Sequence, residues 1–105
     1  DVWHAQAQVI ADASGSEPDR HGFGAGRFGH GLGLRMCEPP SNSPDDTVIL
    51  EENMVITIEP GVPFTAQGNN GPEKKILVHE ENIVVTPDGG SLLTRRAPRE
   101  IPIIT

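Results

Sequence analysis

The 105-residue chain is predicted to fold in the α+β class, as one N-terminal helix followed by a sheet of short strands. Three features carry that expectation. Apolar residues at 1–13 recur at three- and four-residue steps. The second half holds dense runs of Val, Ile and Leu, many of them β-branched. Twelve glycines and ten prolines punctuate the chain between these runs.

In DVWHAQAQVIADA, the apolar face is read as Val2, Trp3, Ala5 or Gln6, Val9, Ile10 and Ala13. Ser14-Gly15 supplies a stop. SEPDRHGFGAGR, at 16–27, has four glycine or proline breaks and reads as loop. GHGLGL is a short extended segment, and the prolines and small polar residues at 39–44 make a second irregular stretch. TVIL at 47–50 and MVITIE at 54–59 are strand candidates, the second stopped by Pro60-Gly61. KILVHEENIVVT, at 75–86, is long enough for one bulged strand or two strands. Pro87-Asp88-Gly89-Gly90 is a turn, and SLLT at 91–94 pairs back as a hairpin. IPIIT at the tail is read as an edge strand, because Pro102 cannot donate to a ladder. The organisation expected is therefore one domain: helix at 1–15, loop at 16–28, mainly sheet at 29–105.

The formal net charge of −7 argues against nucleic acid or an anionic membrane as partner. No apolar run approaches the roughly 20 residues of a membrane span. No signal peptide is visible. The single cysteine excludes an intrachain disulfide and is compatible with a cytoplasmic setting. The chain opens at Asp1 on a segment that already reads as helix, so it is expected to begin inside a longer protein. A domain of this size buries only about 60–70% of its unfolded surface, which limits its independent core.

Side chains alternate faces along a strand. Val55, Thr57 and Glu59 share one face of MVITIE, and Ile76, Val78 and Glu80 share one face of the later run. Each glutamate therefore follows two side chains of a partly apolar row. A buried carboxylate is costly unless paired, hydrogen-bonded or bound to a cation. If both converged on His30, the set would suit Mn, Fe, Co or Zn. The alternative is that both glutamates end strands at the sheet rim, in water. His30 lies among Gly29, Gly31 and Gly33, which permit close backbone approach. By itself it is equally a turn residue. The stretch is not a phosphate loop, since neither a helix start nor a lysine follows.

Taken together, GHGLGLRMCEPPS, LEENMVITIEPGV and ILVHEENIVVTPDGGSLLT resemble the C-terminal half of a pita-bread metallopeptidase catalytic domain. The family includes methionine aminopeptidase, Xaa-Pro aminopeptidase, prolidase and creatinase, and the Xaa-Pro members are most similar. The resemblance covers about residues 24–95. It implies half of a pita-bread fold, a curved and mainly antiparallel sheet with one helix. By position it makes His30 and Glu59 metal ligands and Glu80 a ligand bridging two metals. Glu59 also becomes the candidate for proton transfer during attack of water on an amide. The cofactor implied is a pair of divalent ions, Mn, Co, Fe or Zn, and the substrate a peptide or small amide.

Two departures and one gap qualify that reading. Cys37 occupies the position of the family's second histidine, which stabilises the tetrahedral intermediate, and a thiol is a poor donor. That favours a creatinase-like or ectoine-hydrolase-like enzyme, unless Cys37 is simply a small buried residue. Glu81 and His79 stand where the family has Asp and an apolar residue. The family's two aspartate ligands precede this region and have no counterpart here. The isolated chain is therefore expected to be inactive, and to self-associate or depend on a missing N-terminal half. His21, Arg27 and Arg35 are weaker candidates for substrate contact. His4, His79 and Trp3 read as surface or packing residues, and Asp45, Asp46, Glu51 and Glu52 as a solvated acidic face. A metal-free enzyme, or a non-catalytic domain with merely structural glutamates, are the alternative functions.

Overall fold

The structure, a computed structural model, describes residues 1–15, 27–100 and 103. Helix α1 spans Val2–Ser14. Its N-cap is Asp1, whose Oδ1 accepts from the His4 N–H at 2.9 Å. Gly15 ends it in the left-handed conformation, at φ 69° and ψ 14°. The buried face is Trp3, Ala7 and Ile10, a 3.6-residue stripe. Val9, expected on that face, is exposed, because the stripe centres on Ala7 and turns Val9 outward.

Seven strands follow among the described residues. They are β1 His30–Gly31, β2 Glu38–Ser41, β3 Val55–Ile58, β4 Gly61–Gly68, β5 Gly71–Val78, β6 Glu81–Thr86 and β7 Gly89–Leu92. The order β2-β1-β3-β6-β7 forms one sheet, and β4-β5 forms a two-stranded ribbon. All pairings are antiparallel. The β6–β7 hairpin turns at Pro87-Asp88, the first half of the turn read at 87–90, so the returning strand is Gly89–Leu92 rather than 91–94, with Gly89 at φ 131°.

Three expectations change. Within the stretch read as irregular at 39–44, Pro39, Pro40 and Ser41 belong to the edge strand β2, Glu38–Ser41, a position that tolerates its prolines. Residues 47–50 form no strand, and Val48 and Ile49 are exposed. Asp46 shapes the approach to them: its Oδ2 accepts from the Ser41 N–H at 2.5 Å and its Oδ1 from the Val48 N–H at 2.8 Å. It is thus more than a solvated surface acid. Finally, extended structure resumes after Pro60 in β4, despite Pro63. In a two-stranded ribbon each strand has a free edge, so the missing N–H is tolerated. The tail read as an edge strand lies outside the described residues apart from Ile103, which is exposed.

One register unites these pieces. Ile58 pairs with Glu81 at the end of the β3–β6 ladder. Gly61 pairs with Val78 at the start of the β4–β5 ladder. Glu59 and Pro60 lie between on one strand, His79 and Glu80 on the other. The count is equal, so β3–β4 and β5–β6 form one long hairpin with an interrupted ladder, Glu59 standing opposite Glu80. A long bond from the His79 N–H to the Pro60 carbonyl, 3.5 Å, spans the interruption.

Trp3, Ala7, Ile10 and Phe28 form the core cluster, with Val62 packed against it. Phe28 is fully buried and its ring stacks on Trp3 at 5.6 Å between centroids and 7° between planes. Such a pair adds about 0.5–1.5 kcal/mol beyond the area it buries. Among the described residues, no helix is long and apolar enough to cross a membrane.

Candidate metal centre

Phe28 places two chain segments beside each other. Its carbonyl accepts from the Glu59 N–H at 2.9 Å and from Asn42 Nδ2 at 3.2 Å, and its N–H donates to the Asn42 carbonyl at 2.8 Å. The helix core thus holds the turn before His30 against the end of β3. Gly29 makes the approach possible, since a Cβ there would overlap the Thr57 carbonyl. A Cβ at Gly31 would likewise overlap the Pro39 carbonyl of β2. The glycines flanking His30 therefore serve close strand contact, as the sequence reading expected.

His30 and Glu59 meet. Nε2 of His30 lies 3.2 Å from Oε1 of Glu59, with the imidazole about nine-tenths buried and the carboxylate about three-quarters buried. Nδ1 of His30 lies 2.9 Å from the Gly31 carbonyl. A carbonyl can only accept, so Nδ1 carries a proton. In the neutral ring the Nε2 lone pair then faces a carboxylate oxygen. Two acceptors at this distance are stabilised by a cation between them, either a proton or a metal ion. An imidazole nitrogen and a carboxylate are donors that Mn, Fe, Co and Zn accept.

Thr57, which sequence reasoning did not single out, belongs to the same cluster. It is 1% exposed. Its Oγ1 accepts from the His30 N–H at 2.9 Å and donates to Glu59 Oε1 at 3.3 Å. The available signal was the strand alternation that puts Thr57 on the face of Glu59.

Glu80 stands opposite Glu59 in register, in the break of the ladder, and is exposed. Among the described residues, no group of three or more His, Cys, Asp or Glu is gathered to hold a metal ion. The structure thus brings two of the three expected ligands together and leaves the third exposed in the break between β5 and β6. Next to it, Glu81 Oε1 accepts from the Ala97 N–H at 3.1 Å and from His79 Nε2 at 3.2 Å. These contacts, the Ala97 bond first, hold the Glu81 carboxyl below its ordinary value.

Cys37 is exposed, in the bend before β2, which excludes the reading of a small buried residue. Arg27 Nη2 donates to its sulfur. Arg35 is exposed in the same bend, where its N–H donates to Glu38 Oε2 at 3.3 Å. His21 lies outside the described residues. Beside His30 opens a cleft of about 320 Å³ walled by Val2, Trp3, Leu50 and Ile56.

The comparison with protein families is decisive for kinship. The model of metallopeptidase family M24 matches residues 1–87. The chain belongs to metallopeptidase family M24. Among curated relatives, it is 37% identical over 76 residues to the uncharacterized peptidase YqhT of Bacillus subtilis, covering 72% of this chain and 19% of that protein. It is 41% identical over 77 residues to the Xaa-Pro aminopeptidase of Haemophilus influenzae, covering 70% and 18%. It also superimposes on a recombinant prolidase from Thermococcus sibiricus with a TM-score of 0.64 at 32% identity, covering 90% of this chain and 23% of that one. The chain thus spans about a fifth of the length of these relatives. Its antiparallel sheet and helix α1 are part of an M24 pita-bread fold, as the sequence resemblance implied.

Proposed function

We propose that this M24 chain is the C-terminal part of a metal-dependent C–N hydrolase of the Xaa-Pro peptidase type. The observation that carries the proposal is the approach of His30 Nε2 to Glu59 Oε1, with Nδ1 already committed to the Gly31 carbonyl. His30, Glu59 and Glu80 are the ligands this chain contributes. The position of Glu80 opposite Glu59 supports its inclusion. The remaining ligands come from an N-terminal half or a second copy, without which the chain is inactive.

A divalent ion held by these residues would polarise an amide carbonyl and acidify water. Glu59 is the carboxylate that would accept a proton as water attacks the amide. The cleft beside His30 offers apolar walls to a substrate side chain. Arg35 and His21 are candidates for binding substrate, and Cys37 stands where the histidine donor would act. A cytoplasmic setting is part of this proposal, and the single cysteine is compatible with it.

One observation favours a second reading. An exposed thiol at position 37 gives a developing oxyanion a weak donor. This suits a creatinase-like or ectoine-hydrolase-like enzyme acting on a small amide, with or without metal. The test is hydrolysis by the intact protein of Xaa-Pro dipeptides and of small N-acyl or guanidino substrates, each with Mn²⁺ or Co²⁺ and with chelator. Metal-dependent cleavage of Xaa-Pro bonds, lost in Glu59→Gln, supports the main proposal. Chelator-resistant turnover of the small substrates alone overturns it in favour of the second.

A further inference from the structure

We infer that Thr57 is a positioning residue for this site, its hydroxyl holding the Glu59 carboxylate in place to share a cation with His30; the inference rests on the metal reading above. Thr57 is almost wholly buried, so its hydroxyl gains little from water and must find partners in the protein. It has two. The His30 N–H, at 2.9 Å, can only donate. That occupies the acceptor side of Oγ1, and the single hydroxyl proton is left for Glu59 Oε1 at 3.3 Å.

The oxygen that receives this proton is the same one that faces His30 Nε2. Thr57 therefore touches the backbone of one ligand and the side chain of the other, which lie 29 positions apart in the sequence. Two local features fix it there. A β-branched side chain has restricted χ1 freedom, so the hydroxyl direction is set by the strand backbone. Gly29, lacking a Cβ, lets the His30 segment lie against Thr57, where a side chain would crowd both the Thr57 carbonyl and Oγ1. The hydroxyl plays the part that hydrogen-bond partners of metal ligands commonly play, orienting the ligand before the ion arrives.

Thr57→Val keeps the shape of the side chain and removes both hydrogen bonds, whereas Thr57→Ser keeps the hydroxyl and removes a methyl group. The experiment is titration of the intact protein and both variants with Co²⁺, read by visible absorption, alongside the melting temperature without metal. The wild type gives a saturable Co²⁺ spectrum. Thr57→Val binds at least about tenfold more weakly, with an altered band shape, as loss of such a partner generally does. Thr57→Ser restores both affinity and band shape, even if its melting temperature falls. Equal affinity and an unchanged spectrum in Thr57→Val overturn the inference. So does a loss in Thr57→Ser matching that in Thr57→Val, which assigns the effect to packing. A wild-type protein with no Co²⁺ spectrum overturns the metal reading itself, and the inference with it.

Discussion

The backbone N–H of Glu59 donates to the carbonyl of Phe28 at 2.9 Å, joining the chemistry of this chain to its core. Phe28 is fully buried under Trp3, and His30 follows it by two residues. A helix that supplies no candidate metal ligand therefore governs the distance between His30 and Glu59. The site depends on packing several residues away from either ligand.

Phe28→Ala is expected to destabilise the protein by about 3–5 kcal/mol, the usual cost of emptying a buried aromatic position. Urea unfolding measures it. Phe28→Leu should lose less, since part of the volume remains. In both variants the midpoint should fall without a comparable change in slope.

Gly29→Ala tests the close approach of the His30 turn to β3. The added methyl meets backbone at the Thr57 carbonyl, which cannot swing aside as a side chain would. Gly29 also sits at φ 151°, which side chains disfavour. Overpacking of this kind costs about 1–3 kcal/mol. Thermal unfolding should show that loss, while alanine at Gly15, where a Cβ meets nothing within 4 Å, should cost only the left-handed backbone strain.

The Glu81 carboxyl gives the molecule an acid-sensitive tie between the hairpin and the segment at Ala97. The Ala97 N–H and then His79 hold its folded pKa below the ordinary value of 4.5. A depressed carboxyl stabilises the fold above the unfolded pKa, and that contribution is lost as pH falls from about 4.5 through the lower folded value. Glu81→Gln should therefore narrow its stability gap to the wild type as pH drops through this window. Denaturant midpoints measured from neutral to acid pH would show a constant gap if the tie were absent.

Added Mn²⁺ should raise the melting temperature of the intact protein, and chelator should reverse the rise. A ligand at 100 times its dissociation constant stabilises by about 2.7 kcal/mol. His30→Ala and Glu59→Gln should each abolish the metal-dependent part of the shift. Retention of the full shift in His30→Ala would place the metal elsewhere.

Much of this was legible from residue pattern. The helix stop at Gly15 and the hairpin turn beginning at Pro87-Asp88 follow from local chemistry, although the returning strand is 89–92 rather than 91–94. The approach of His30 to Glu59 was implied by the family resemblance, with neither residue's neighbours decisive alone. What escaped was non-local. β2 is made of EPPS, a poor strand sequence that pairs because an edge position spares its prolines a donor. β4 continues beyond Pro60-Gly61 because the register of β3 passes through the break unchanged. Val48 and Ile49 look like core but are exposed, and Thr57 looks like an ordinary strand residue but is sealed between His30 and Glu59. Periodicity reports which residues share a face, and the partner opposite that face is set by the fold.

The most direct test is anomalous diffraction from crystals of the intact protein grown with excess manganese, recorded above and below the manganese edge. The account predicts a difference peak bonded to both His30 Nε2 and a Glu59 carboxylate oxygen, at about 2.0–2.2 Å as for related ions. Full manganese saturation with no peak there, and His30 Nε2 still facing Glu59 directly, would contradict it.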